Sequence, residues 1–151
     1  MTGGMTSAPR ASRGEDLEAA RALLSDAGLP LAGLDEHFAD FWVLDAPNGG
    51  LAGVAGAERY ADAWLLRSLV VTPAFQGRGH SRRLLEAVLT EASRAGAREV
   101  FLLTTDAQPL FAAWGFVEVS RATAPTAMQA SAELRGACPD NATLMRLEVA
   151  G

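Results

Sequence analysis

The sequence contains no apolar stretch as long as a membrane span, and its N-terminal residues lack the hydrophobic region of a signal peptide. We therefore expect no membrane partner. The single cysteine, Cys138, excludes an intramolecular disulfide and is typical of a cytoplasmic protein. Two histidines and one cysteine, far apart, offer no metal-ligand spacing, so no metal is expected. Acidic residues outnumber basic ones by 18 to 13, which argues against a nucleic-acid partner.

What is present is ordinary for one globular domain. The chain has 151 residues, of which 49% are hydrophobic and 21% charged. Residues 1–9 are small and polar, and we expect them to be disordered. We expect a single domain over residues 10–151, long enough to bury a substantial core.

A strand–loop–helix segment stands out in the middle of the chain. The β-branched run that ends at Thr72-Pro73 is followed by a polar loop with two glycines, residues 76–81, here called the glycine loop. An apolar stripe at helical spacing begins at Leu84. Free backbone N–H groups at the start of a helix favour an anion, so this loop is predicted to be an anion site.

The remaining patterns predict an α+β protein. Strands are expected over residues 10–11 (weakly), 41–44, 51–59, 64–71, 100–104, 116–119 and 143–149. Helices are expected from residue 15 to about 27, over residues 34–38, from the end of the glycine loop to about residue 95, and over residues 108–114 and 127–135. The strands from 41 to 71 form an antiparallel meander. The helix after the glycine loop makes a βαβ crossover, so the strand over residues 100–104 should lie parallel to that over 64–71.

These residues resemble the GNAT superfamily of N-acetyltransferases. The segment P-x-x-Q-G-R-G-x-S-x-x-L-L is similar to its acetyl-CoA loop, with Ser81 where the family usually has Gly or Ala. Phe111-x-x-x-Gly115-Phe116 is similar to a second family element. The resemblance implies the GNAT fold, a mixed, mostly antiparallel sheet of six or seven strands with a central βαβ crossover and helices on both faces. It also implies acetyl-CoA as co-substrate.

A narrower resemblance comes from LLRSLVV, LLTTDAQPLFAAWGF and RGACPDNATLMRL. These segments are similar to the small amino-acid acetyltransferases of arsenic-resistance operons and to short N-acetylglutamate synthases. That resemblance implies direct acetylation of a small amino acid or amino-acid-like toxin, glutamate-like or arsinothricin-like. It also allows a homodimer.

The GNAT resemblance assigns the cofactor residues. Backbone groups near Leu69, Val70 and Val71 would bind the pantetheine arm. The pyrophosphate would take N–H bonds from the glycine loop, which comprises Gln76, Gly77, Arg78, Gly79, His80 and Ser81. Arg78, Arg82 or Arg83 would add charge, although for Arg82 and Arg83 taken singly we favour a solvated helix face.

The family usually has a tyrosine general acid where this chain has Phe111, which lacks a hydroxyl. Phe111 either packs on the pantetheine or belongs to the core. Thr104 and Thr105 lie at the end of the parallel strand. Their hydroxyls either contact the cofactor or substrate, or cap the next helix. In the first case Thr105 would have a catalytic role. Glu58 is the candidate general base, acting through water, with a surface carboxylate at a strand end as the alternative.

An amino-acid acceptor needs a group that binds its carboxylate. Arg67 and Ser68 interrupt an apolar strand, and arginine binds carboxylates with a bidentate fork. Arg67 is the predicted carboxylate ligand, and a structural ion pair with Glu58 is the alternative. His37 is predicted to line the acceptor cleft. Acetylation of a polyamine, peptide or protein amine, or acyl-CoA sensing without catalysis, are the alternative functions.

Overall fold

The structure is a computed structural model that describes residues 8–137 and 141–149. Most of the segment predicted to be disordered, and Cys138, lie outside the described residues. The strands are β1 (Arg10–Ala11), β2 (Phe41–Asp45), β3 (Leu51–Tyr60), β4 (Ala63–Val71), β5 (Glu99–Thr104), β6 (Val117–Val119) and β7 (Thr143–Glu148). The α-helices are α1 (Leu17–Asp26), α2 (Leu34–His37), α3 (His80–Arg94) and α4 (Gln108–Ala113).

The strands form one seven-stranded sheet in the order β1-β2-β3-β4-β5-β7-β6. The pairs β1–β2, β2–β3, β5–β7 and β6–β7 are antiparallel, whereas β4 and β5, on either side of α3, are parallel. The predicted α+β class and the central crossover are therefore confirmed. The last strand, β7, lies between β5 and β6, so β6 forms this edge of the sheet.

The Cα positions group the chain into two compact units. The first unit consists of Met1–Ala57 and Ser68–Val88, and the second of Glu58–Arg67 and Leu89–Gly151. The first unit has a core of α1, α2, β2 and β3 side chains, among them Leu24, Leu34 and Phe41. In the second unit the core includes Phe101, Met128 and Leu144.

Two glycines of β3 make room for neighbours in the first unit. A Cβ on Gly56 would overlap the Phe41 ring, which packs against this position. A Cβ on Gly53 would lie 2.9 Å from Leu84 Cδ1 and 3.0 Å from the Val70 carbonyl oxygen. The small residues of β3 therefore allow Phe41 of β2 and Leu84 of α3 to approach the strand closely.

The helix predicted over residues 127–135 is wrong. The structure has a 3-10 turn at Met128–Ala130 and a separate π-type turn at Glu133–Ala137. Between them Ser131 is extended, with φ −61° and ψ 138°, and its hydroxyl accepts the Glu133 N–H. A serine that binds the nearby backbone in this way competes with a helix. The described helices are all too short or too polar to span a bilayer.

Candidate functional site

The glycine loop connects the end of β4 to α3 in the first unit. After the 3-10 turn Pro73–Phe75, Gly77 and Gly79 both adopt φ +80°, which only glycine takes without strain. Apart from the neighbouring residues, no described atom lies within 4 Å of where a Cβ would stand at either glycine. Gln76 Nε2 donates a 2.8 Å hydrogen bond to the Val71 carbonyl oxygen, which ties the loop to β4.

Positive charge concentrates at this end of α3. Arg78 lies in the loop, and Arg82 and Arg83 lie in the first turn, which contains no acidic residue. The first turns of α1 and α2, in contrast, contain Glu18 and a pair of acidic residues. Arginines at the positive end of a helix repel the helix dipole, and a bound anion would offset that repulsion.

His80, the first residue of α3, is buried, with only 3% of its surface exposed. Its Nδ1 lies 3.0 Å from Arg83 Nη1. Arginine only donates, so Nδ1 accepts and the proton of the neutral ring is on Nε2. Burial, together with Arg83 and Arg78, lowers the pKa of His80 below 6.5. Nε2 has no hydrogen-bond partner among the described residues. This buried donor, together with Arg78 of the loop and Arg82 and Arg83 of α3, fits a polyanionic group such as a pyrophosphate.

β4 is distorted at Ser68, immediately before the residues predicted to bind pantetheine. Ser68 has φ +61°, a left-handed conformation that is rare for a residue with a side chain. Beyond it, Leu69 and Val70 are only half buried and Val71 is buried. Parallel pairing with β5 runs from Ala63↔Glu99 to Leu65↔Phe101, before the distortion. The sequence contained no specific signal for this kink beyond a polar residue in an apolar strand.

Glu58 and Arg67 form a buried ion pair in the second unit. Arg67 Nη1 lies 2.8 Å from Glu58 Oε2, and the side chains are 0% and 1% exposed. The Tyr60 hydroxyl donates a short hydrogen bond to the other Glu58 oxygen. Glu58 is thus buried and is not a surface carboxylate. The alternative predicted for Arg67, an ion pair with Glu58, is present, and the catalytic role of Glu58 and the acceptor-binding role of Arg67 stay predictions.

A second carboxylate beside Arg67 was missed by sequence reasoning. Glu133 Oε2 lies 3.6 Å from Arg67 Nη2, and the Glu133 side chain is 6% exposed. Glu133 lies on the connection between β6 and β7, 66 positions after Arg67, in the segment whose predicted helix was wrong. The sequence contained no signal for this contact, because it depends on how the connection packs.

Thr104, Thr105 and Phe111 also belong to the second unit. Thr104 is buried, and its hydroxyl accepts the Ala107 N–H at 3.0 Å. This bond is the local capping role given as the alternative for Thr104. Thr105 is exposed. Phe111 packs edge-on against Phe116, with 5.7 Å between ring centroids, and is 8% exposed. Phe111 is therefore a core residue, which is one of the two roles predicted for it. Its contact with pantetheine stays a prediction.

His37 is at the end of α2 in the first unit. Its side chain is 17% exposed, and Nε2 lies 3.7 Å from Glu36 Oε2. The neighbouring Phe38 is buried against Phe41, with 5.4 Å between ring centroids. In the described parts of the chain, no cluster of three or more His, Cys, Asp or Glu side chains could hold a metal ion.

Comparison with known proteins gives one family match. A model described as "Acetyltransferase (GNAT) domain" matches residues 37–118, more than half of the chain. The matched range contains Glu58, Arg67, the glycine loop and Phe111.

Individual relatives point to the same family. An amino-acid acetyltransferase of Neisseria meningitidis serogroup A is 31% identical over 94 residues, which are 61% of this chain and 21% of that protein. The N-acetylglutamate synthase of Neisseria gonorrhoeae, complexed with coenzyme A and N-acetyl-glutamate, is 25% identical, with a TM-score of 0.80 over 95% of this chain and 35% of that one.

A Mycobacterium tuberculosis protein in complex with CoA has the same fold. It is 20% identical, with a TM-score of 0.78 over 95% of this chain and 99% of that one. This chain spans only about a fifth of the curated relatives that it matches. Their whole activity therefore does not transfer to it directly.

Proposed function

Because the chain belongs to the GNAT acetyltransferase family and is thus an acyltransferase, we propose that it transfers acetyl from acetyl-CoA to the primary amine of a small amino acid or amino-acid-like toxin, glutamate-like or arsinothricin-like. The observation that carries the cofactor part is the cationic glycine loop with its buried, unused His80 donor. The buried Arg67 and the similarity to amino-acid acetyltransferases support the acceptor part.

The glycine loop would bind the pyrophosphate of acetyl-CoA. Backbone N–H groups from Gly77 onward lie at the start of a 15-residue helix whose dipole favours an anion, whereas the Gln76 N–H already donates to the Pro73 carbonyl oxygen. Arg78 and Arg83 supply charge, and His80 supplies a further donor from Nε2. Leu69 and Val70 are half buried in β4 and would contact the pantetheine arm.

The Ser68 kink would contribute to the reaction itself. A residue in the left-handed region turns the backbone N–H groups on either side of it out of the regular ladder. An N–H presented in this way stabilises the negative charge that develops on a thioester carbonyl oxygen. The kink is local strain at a proposed functional position, in line with where proteins store such strain.

Acetyl transfer needs the acceptor amine in its neutral form. In the proposed reaction the amine nitrogen attacks the thioester carbon, the N–C bond forms and the C–S bond breaks. The proton lost by the amine passes through water to Glu58, which Arg67 and Tyr60 hold in place. Phe111 has no hydroxyl, so the departing thiolate takes its proton from solvent.

Arg67 would pair with the carboxylate of the acceptor. A buried guanidinium forms strong bidentate contacts with carboxylates. Glu58 Oε2 accepts a hydrogen bond from Arg67 Nη1 at 2.8 Å, and this contact fixes the orientation of the guanidinium. A cytoplasmic location and a homodimer stay predictions.

The test is to measure CoA release from acetyl-CoA with a panel that contains free amino acids, glutamate analogues and polyamines. We expect turnover with carboxylate-bearing amines. Turnover of polyamines alone would contradict the acceptor class, and acetyl-CoA binding without turnover of any amine would contradict the activity. Thermal stabilisation by CoA provides a separate measure of cofactor binding.

The role of Arg67 has its own test. Arg67→Lys keeps the charge but loses the planar fork, so the KM for the amino acid should rise about 10-fold or more. Arg94→Lys is the matched control, because Arg94 is 75% exposed and pairs only with Glu91 at 3.3 Å among the described contacts. An unchanged KM in Arg67→Lys would show that Arg67 has only a structural role.

A further inference from the structure

Phe75 is a partly exposed aromatic residue to which the proposed reaction assigns no role. It is the last residue of the 3-10 turn Pro73–Phe75, between β4 and the glycine loop. Burial of a phenylalanine ring removes a large apolar area from water, so such rings are most often fully buried. A ring that stays partly exposed beside a proposed cofactor loop is a candidate for contact with a ligand.

The turn holds Phe75 in a fixed position. Pro73, the first residue of the turn, has its φ set by its own ring. The Phe75 N–H donates to the Thr72 carbonyl oxygen at 2.9 Å, and the Thr72 N–H donates to the Ala52 carbonyl oxygen of β3 at 2.8 Å. Because the backbone of the turn is tied to the sheet, little order has to be gained when a ligand binds here.

Arg78 lies next to the Phe75 ring. Its Cζ atom is 5.9 Å from the centre of the ring, within the range of a cation–π contact. Arg78 is exposed, and among the described residues no carboxylate forms an ion pair with it. The sequence contains no acidic residue between Asp62 and Glu86. An accessible aromatic ring and a guanidinium without a carboxylate partner therefore lie side by side.

This combination suits a nucleobase that carries phosphate. Bases stack on aromatic rings and on guanidinium planes, and a guanidinium also donates to phosphate oxygens. CoA has both groups, because its pyrophosphate joins the pantetheine arm to a phosphorylated adenosine. With the pyrophosphate at the glycine loop and the arm at β4, the adenosine is the part of CoA that still lacks a site.

We infer that Phe75 and Arg78 form the subsite for the adenosine end of CoA, with the adenine base stacked on this pair. The inference rests on the acetyl-CoA binding of the proposed function and does not depend on the acceptor. Phe75 directly precedes the glycine loop and Arg78 belongs to it, so both adjoin the place proposed for the pyrophosphate to which the adenosine is joined. The pair thus determines specificity for CoA over thiols that lack the nucleotide.

The experiment compares CoA with phosphopantetheine, which keeps the thiol arm and one phosphate but lacks the adenosine. Isothermal titration calorimetry measures the Kd of each ligand for the wild type and for Phe75→Leu, Phe75→Tyr and Arg78→Lys. No acceptor amine is needed. Val117→Ala, which trims a 53% exposed apolar side chain on β6, and Arg94→Lys, at the last residue of α3, are the matched controls.

The wild type should bind CoA about 10-fold or more tightly than phosphopantetheine, because stacking of the base adds to the contacts of the phosphate. Phe75→Leu should reduce this ratio about 5-fold, since an aliphatic side chain has no aromatic face. Phe75→Tyr should keep the ratio within about 2-fold, because the face remains.

Arg78→Lys keeps the charge but loses the plane, and it should reduce the ratio about 3-fold. The Kd of phosphopantetheine should stay unchanged in Phe75→Leu, which shows that the loop itself is intact. Both controls should keep the wild-type ratio.

The other results contradict the inference in distinguishable ways. If Phe75→Leu weakens the two ligands equally, Phe75 only supports the loop. If the ratio survives in Phe75→Leu or in Arg78→Lys, or is lost in Phe75→Tyr, the base does not stack on this pair. If the wild type binds neither ligand, the acetyl-CoA part of the proposed function is wrong as well. Normal CoA binding without turnover of any amine would contradict the proposed activity and leave the subsite standing.

Discussion

Arg67 Nη1 lies 2.8 Å from Oε2 of Glu58, and neither side chain is more than 1% exposed. The two residues are nine positions apart, on the strands β3 and β4 of one hairpin. Together with Glu133 they place two carboxylates around one guanidinium in the interior of the second unit. A cluster of this kind links stability to the proposed recognition of the acceptor.

Removal of the Arg67 charge should destabilise the protein strongly. Arg67→Met removes a buried cation that lies beside two buried carboxylates, and we expect it to lower the free energy of unfolding by about 3–5 kcal/mol. Urea denaturation measures the loss. Arg94→Met removes an exposed ion pair with Glu91 and should cost less than about 1 kcal/mol. A loss for Arg67→Met as small as that of the control would contradict the prediction.

The left-handed conformation of Ser68 predicts opposite effects of two substitutions. Ser68→Gly removes the steric conflict of a side chain at φ +61° and should leave stability unchanged or raise it by about 1 kcal/mol. Ser68→Val should lower it by about 2 kcal/mol or more, because a β-branched residue tolerates this conformation poorly.

Thr90→Val is the control for that pair, since Thr90 is exposed on α3 and the change again removes a hydroxyl. It should alter the free energy of unfolding by less than about 0.5 kcal/mol. Urea midpoints of the three variants check the prediction. Equal losses for Ser68→Val and Ser68→Gly would show that the hydroxyl, and not the backbone conformation, matters at this position.

Arg10, in β1, binds two aspartates of the first unit. These contacts should make the free energy of unfolding depend on pH in the acidic range. Arg10 donates to Asp16 at 2.9 and 3.0 Å and to Asp45 at the same distances. These hydrogen bonds lower the pKa of both carboxyl groups below 3.8. A depressed pKa adds stability above the unfolded value, and that stability is lost as the pH falls through the lower folded value.

Arg10→Ala should therefore lower the free energy of unfolding by about 1–2 kcal/mol at pH 6, allowing for partial solvent screening. The difference from the wild type should shrink as the pH is lowered below 3.8. Arg98→Ala, in an exposed pair with Asp62, should show little difference at either pH. A gap for Arg10→Ala that stays constant down to low pH would contradict the assignment.

The burial of His80 predicts its titration. Burial and the nearby Arg83 and Arg78 lower its pKa below 6.5, so the neutral ring is favoured in the folded protein. Stability from this group is present above pH 6.5 and is lost as the pH falls through the folded pKa. Bound CoA should move the titration to higher pH, because phosphate oxygens favour the protonated ring.

NMR titration of the imidazole signals, with and without CoA, measures both effects. His80→Asn removes the signal and assigns it. A pKa of 6.5 or above without CoA would contradict the burial argument, and a titration that CoA does not move would separate His80 from the anion site.

The local features of this protein were determined by its sequence. The β-branched run, the two glycines and the apolar stripe are contiguous, so their pattern alone predicted the strand, loop and helix that the structure contains. Hairpin and crossover lengths likewise predicted the β2–β3–β4 meander and the parallel β5. Each of these depends on neighbours within a few residues, where backbone conformation and periodicity decide the outcome.

The tertiary structure decided what depends on distant residues. Glu58 looked like a strand-end carboxylate, but the fold buries it with Arg67 and brings Glu133 to the same guanidinium across 66 positions of sequence. Ser68 acquires its positive φ, and His80 its unpartnered nitrogen, through packing. The sequence alone therefore predicted an anion site at the glycine loop, and this site stays a prediction. The buried cluster around Arg67 could not be predicted from the sequence, because burial and ion pairing arise only when separate segments fold together.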